Sequence, residues 1–144
     1  MALNFEDVQK DGNTFLNRAC HFLGIQNRDQ AGRILRSVLH AIRDRIPPEE
    51  AVHLAAQLPL AWKGVYFDGF TIQGELPRIR DKKDWLEFIR SKNQMAAQND
   101  FPTLELTEYA FQDIMDFLRE SVSEGQFNHV VQALHAEISD LVET

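Results

Sequence analysis

The sequence predicts an all-α fold: one compact helical domain built from two related multi-helix units with pseudo-twofold symmetry. Two observations predict it. The chain repeats itself at an offset of 76 residues, so that laying Leu35 to Val65 on Phe111 to Leu141 puts Val38 on Ile114, Leu39 on Met115, Ile42 on Leu118, Ile46 on Val122, Leu54 on Val130 and Leu58 on Leu134. Apolar residues also recur at the spacing of one helical face, in stripes that stop at proline and glycine. Arg43 falls on Arg119 and His53 on His129, so the likeness extends beyond the apolar pattern. Two copies are too few for an open solenoid, and they are expected to close on each other and bury the shared face. The units span about residues 4–66 and 81–144 of a single 1–144 domain, with a connector at about 67–80.

The elements follow in order. Phe5, Val8, Phe15, Ala19, Phe22 and Leu23 share one stripe, and Gly24 is placed to stop that helix. Gly12 is its weak point, costing about 1 kcal/mol relative to Ala, and marks a kink or a start. Asn27 or Asp29 caps a second helix whose apolar face is Ile34, Leu35, Val38, Leu39 and Ile42, up to Ile46. Pro47 and Pro48 end it and open a third helix, because proline suits the first turn, where amides have no internal partner. Ala51, Val52, Leu54, Ala55 and Leu58 form that third face until Pro59, after which a short helical turn covers Ala61, Trp62 and Val65.

Gly64, Gly69, Gly74 and Pro77 mark the connector as too glycine-rich for helix. Its Tyr66, Phe67, Phe70 and Ile72 are expected to pack against the helices. Asp81 caps the helix of Trp85, Leu86, Phe88 and Ile89, and residues Asn99 to Pro102 break the chain. The second unit restarts at Thr103 or Thr107 with Phe111, Ile114, Met115, Leu118 and Val122. Ser123 and Gln126 fit a capping box, in which each side chain takes the other's amide. Phe127, Val130, Val131, Leu134, Ile138 and Leu141 complete the stripe.

At 144 residues the chain can bury about 70% of the surface its unfolded form exposes, so no disulfide or metal staple is required. One cysteine, Cys20, rules out an internal disulfide and fits a reducing compartment. The N-terminus lacks a signal-peptide pattern, and no apolar run approaches the roughly 20 residues of a membrane span. A cytoplasmic protein is the expectation. The net charge of −7 is uneven: residues 1–60, 61–100 and 101–144 carry 0, +1 and −8. A final third with Arg119 as its one basic side chain repels phosphate backbones, which argues against nucleic acid as a partner.

Few side chains suggest chemistry. Glu50 and His53 have the Glu-x-x-His spacing of carboxylate-bridged metal bundles, but the second unit offers Gln126 and His129, and an amide is a poor ligand. No metal and no cofactor is expected. Cys20, with His21 or His40 as a base, is read as a small core residue beside the first stripe. The glycine patterns of phosphate and dinucleotide sites and the serine-nucleophile elbow are absent, so no catalytic residues are assigned. The run Arg78, Arg80, Lys82, Lys83 complements the acidic final third, within one chain or between two. The densest cluster is Trp62, Lys63, Tyr66, Phe67 and Phe70, whose aromatic side chains suit either a core lid or a contact surface.

The stretch from Arg33 to Phe70, RILRSVLHAIRDRIPPEEAVHLAAQLPLAWKGVYFDGF, resembles the bacterial domain-of-unknown-function family 2267. The likeness lies in the VLHAIRDRI segment, the Pro and Glu-Glu helix start, the AQLP stop and the basic-Gly-x-Tyr cluster. Lys63 stands where arginine is common, Phe70 where tryptophan is usual, and His135 where a Leu-Pro stop is expected. The resemblance implies a small all-helical cytoplasmic protein and no activity. The leading expectation is a non-enzymatic domain that docks a protein partner or a second copy of itself. The candidate surface comprises Trp62, Lys63, Tyr66, Phe67, Phe70, Arg78 and Arg80. The alternative is a regulatory domain that binds a small molecule between the units near the same aromatics.

Overall fold

Side-chain oxygens set most of the helix starts. In the computed structural model, which describes residues 3–72 and 77–135, α1 (Phe5–Leu23) begins where the Asn4 carboxamide accepts the amides of Glu6 and Asp7. It ends at Gly24, whose φ of 68° is open to glycine at no steric cost. Asn27 caps α2 (Arg28–Arg45) through the Gln30 amide. Pro47 precedes α3 (Pro48–Ala55), and Pro59 precedes α4 (Leu60–Phe67). Asp81 caps α5 (Lys82–Ser91), Asn93 caps α6 (Gln94–Asn99), and Thr103 caps α7 (Leu104–Ser121). The Ser123 hydroxyl accepts the Gln126 amide at the start of α8 (Glu124–His135). Among the described residues all regular structure is helical.

The repeat predicts the core well. All twelve residues of the six aligned pairs, from Val38 and Ile114 to Leu58 and Leu134, are buried. The helix α2 runs through the middle, and the contacts come in reciprocal sets. Thus α1 packs on α2 and on α7, while α5 packs on α7 and on α2; α2 meets α7 and α3 meets α8. Aromatic rings join α1 to α7, where Phe117 lies 4.7 Å from Phe15 and 5.6 Å from Phe22, and within the second unit Trp85 of α5 lies edge-on to Phe111 of α7.

Several expectations need correction. Gly12 neither kinks nor starts a helix. It lies buried in the middle of α1, where α4 crosses so closely that a Cβ on Gly12 would stand 2.9 Å from the Ala61 Cβ. The Trp62 indole N–H fixes this crossing by donating to the Gly12 carbonyl at 3.0 Å. Gly64 does not belong to a glycine-rich connector but to α4, a full two-turn helix. The short helix α6 was not expected at all; its first turn depends on Asn93, an amide cap with no apolar stripe behind it. Phe5 and Val52 sit on predicted apolar stripes yet are 74% and 51% exposed. Cys20 is half-buried at the edge of α1 rather than in the core. In the connector, Phe67 and Ile72 face outward, while Phe70 is half-buried. Gly74, Ile138 and Leu141 fall outside the described residues.

The capping box is half right. Ser123 takes the Gln126 amide, but the Ser123 amide donates to the Gln57 side chain, which reaches across from the first unit at 3.1 Å. Gln126 therefore does not reach back, and its Nε2 is buried without a hydrogen-bond partner.

Candidate functional site

The aromatic cluster proposed from sequence divides cleanly along α4. Residues on one side of that helix are core: Trp62 is 8% exposed and Tyr66 fully buried, and the Tyr66 hydroxyl donates to the Ala51 carbonyl at 2.7 Å. Burial pushes the Tyr66 phenol well above its ordinary value, outweighing the opposing pull of Arg43, so it stays a neutral donor. Lys63 and Phe67 lie on the other side, with Leu60 and Gly64.

What holds α4 in place is its C-terminus. A helix leaves its last four carbonyls without internal partners, and here each finds one. Gly64 O accepts the Asp68 amide, and Phe67 O accepts the Phe70 amide. Val65 O lies 2.7 Å from His40 Nε2, and Tyr66 O lies 2.5 Å from Arg43 Nη1. The same Nη1 donates to Asp68 O at 2.7 Å, and Arg43 Nε donates to Asp44 at 2.9 Å. Asp44 in turn accepts Lys92, the residue that ends α5, at 2.6 Å. The Arg43 guanidinium also lies 5.5 Å from the centre of the Phe70 ring, and Gly69, at φ 74°, turns the chain beside it.

The chemistry of the two capping side chains differs. A carbonyl can only accept, so His40 Nε2 carries the proton that Val65 receives. Burial lowers the His40 pKa, and the neighbouring Arg43 and Arg36 lower it further, against the opposing pull of the Val65 bond and Asp44. His40 is a neutral donor rather than a poised base. Arg43 is a permanent cation at the negative end of α4, where its charge is favourable as well as its geometry. Sequence reading passed over His40 as a base for Cys20 and noted Arg43 only through its repeat-mate Arg119. The missed signal was a pair of strong donors, three residues apart, on a helix that is otherwise apolar where it meets α4.

Among the described residues no hydrogen bond, ion pair or ring contact joins Arg78 or Arg80 to the aromatic cluster. Arg80 pairs with Asp84 at 3.0 Å, which holds the Asp84 carboxyl below its ordinary range, and Arg78 is exposed. Lys82 reaches Glu108 on α7 at 2.9 Å, so part of the complementarity with the acidic final third is met within one chain. Along α7, Asp113 is pushed above its ordinary value by burial and then by Asp116.

The histidine candidates also find places. Glu50 of α3 approaches His129 of α8, with 3.9 Å between Oε2 and Nδ1, and joins the two units at that point. His53 is exposed. Among the described residues no group of three or more His, Cys, Asp and Glu side chains is placed to hold a metal ion. Cys20 and His21 border an open cleft of about 500 Å³ with Asn17, Ile25 and Arg28. A second cleft, of about 420 Å³, lies at the seam of the units between Asp11, Thr14 and Arg18 of α1, the Gln57–Pro59 corner and Ser121. No helix among the described residues is long and apolar enough to cross a membrane.

Fold and site together define an all-helical protein, in which buried polar side chains secure helix ends and one short helix presents an apolar edge. The chain belongs to the DUF2267 family, described as an uncharacterized conserved protein, whose model matches residues 12–141. No curated protein matches it.

Proposed function

We propose that this chain is a non-enzymatic protein-interaction domain of the bacterial cytoplasm and that its contact surface is the outward edge of α4. One observation carries the reading: Leu60, Gly64 and Phe67 form an exposed apolar stripe on a helix whose opposite side is locked by Trp62, Tyr66, His40 and Arg43. A rigid apolar edge loses little conformational freedom when a partner covers it. Lys63 beside the stripe and Ile72 beyond it, 78% exposed, extend the same surface. A photo-crosslinking residue at position 67 of the full chain, expressed in its native cells, should give one discrete protein adduct. The adduct should vanish with Leu60→Asp, and a crosslinker at the exposed Glu49 should give none. No adduct at position 67 would remove the support for this reading.

The second reading, a domain that binds a small molecule, is favoured by the 420 Å³ cleft at the unit seam, where Arg18, Asp11 and Gln57 offer polar groups over Phe15 and Leu58. A ligand at 100 times its dissociation constant would stabilise the fold by about 2.7 kcal/mol. A thermal-shift screen in which Arg18→Ala abolishes a metabolite's shift would support it; no shift across a broad metabolite set would count against it.

A further inference from the structure

The edge of α4 carries more than apolar area. At 100° per residue, Leu60, Gly64 and Phe67 fall within about 60° of one another, with Lys63 on one flank of the stripe and Asp68 on the other. Lys63 is half-buried and makes no ion pair among the described residues, and the exposed Asp68 makes a loose one with Arg36 at 3.4 Å. A Cβ built on Gly64 meets nothing within 4 Å, so the centre of the stripe is a bare notch between two large side chains.

We infer that the occupant of this edge is a second copy of the chain, with the two α4 helices side by side in parallel about a twofold axis. The inference rests on the reading above and names its partner. Opposite charges on the two flanks of one stripe are what such an axis requires, because it brings the positive flank of each helix to the negative flank of the other. An antiparallel pairing would instead set Lys63 against Lys63 and Asp68 against Asp68. Glycine at the centre lets the helices approach, and Leu60 and Phe67 close over the notch at either end. The face is short, about 12 Å of helix, and covers less than the roughly 800 Å² per partner of a standard interface. The dimer is therefore a weak one, in the micromolar range.

Sedimentation velocity on the full chain across the micromolar range tests it. The wild type should dimerise with concentration, and Gly64→Glu, which has open space in the monomer, should remain monomeric with an unchanged helical spectrum and melting curve. Lys63→Glu and Asp68→Lys should each weaken the dimer by about tenfold or more, as expected for charges moved into repulsion at an interface. An equal mixture of those two variants should restore it, since every cross-pair is then opposite in sign. A wild type monomeric at the top of the range, a dimer that survives Gly64→Glu, or a mixture no stronger than its parents would each overturn the inference. A monomer that still gives the position 67 adduct with a different protein would do so while leaving the proposed function standing.

Discussion

Removing the guanidinium of Arg43 should be among the most damaging single changes that leaves the chain's apolar core intact. Arg43→Met keeps an unbranched stem of similar length and deletes the donors to Tyr66 O, Asp68 O and Asp44 together with the contact on Phe70. The Arg43 side chain is 5% exposed, so water cannot replace it freely. Breaking a buried ionic contact costs about 3–5 kcal/mol, and the lower end applies because Asp44 keeps its bond to Lys92. About 3 kcal/mol is a large share of the 5–15 kcal/mol that holds an ordinary domain together. For a chain of this length it corresponds to a fall in Tm of about 6–12 °C. Arg43→Lys keeps the charge but cannot reach both carbonyls and Asp44 at once, so it should lose about half as much. Urea unfolding followed by far-ultraviolet circular dichroism at neutral pH measures both. A loss below about 1 kcal/mol for Arg43→Met, or a lysine variant as stable as wild type, would refute the argument that these bonds fix the end of α4.

Two further outcomes follow from the same neighbourhood. Gly12→Ala should destabilise by about 1–2 kcal/mol, since forcing a methyl into the α1–α4 crossing outweighs the gain of about 1 kcal/mol in helix propensity, and adding Ala61→Gly should recover most of it in a double-mutant cycle; a stabilising Gly12→Ala would contradict the close approach. His40 is held below its ordinary value of 6.5 in the folded chain, so the unfolded chain binds the extra proton first and stability falls as pH drops through and below 6.5; His40→Gln should flatten that slope between pH 8 and 5 in urea melts, and an unchanged slope would exclude His40 as its source.

The parts of this fold that are legible in the sequence are those where one physical requirement acts alone. A buried stripe must be apolar at helical spacing, and the six aligned apolar pairs, Leu39 and Met115 among them, are all buried. A helix start must satisfy free amides, and Asn27, Asp81, Thr103 and Ser123 do so as their positions suggest. Legibility fails where two segments distant in sequence meet. Gly12 looks like a helix defect until Ala61 is known to cross it. Arg43 and His40 look like surface residues until the end of α4 arrives with three carbonyls to satisfy. The aromatic cluster could not be divided by composition, because Tyr66 and Phe67 are neighbours in sequence and point to opposite fates only once α4 is known to be a helix through Gly64.

The places where the two copies differ follow a physical pattern as well, and one pair of differences explains the other. Position 47 in the first copy is proline, with no amide hydrogen, so its helix start leaves nothing there to be bonded. The equivalent position in the second copy is Ser123, whose amide donates to the Gln57 side chain of the first copy across the seam at 3.1 Å. The residue equivalent to Gln57 is Ala133, whose side chain has no acceptor to offer. Of these four repeat positions, 57 and 123 thus carry the acceptor and the donor of one bond across the seam, while 47 and 133 carry neither the amide hydrogen nor the side-chain acceptor for a second one.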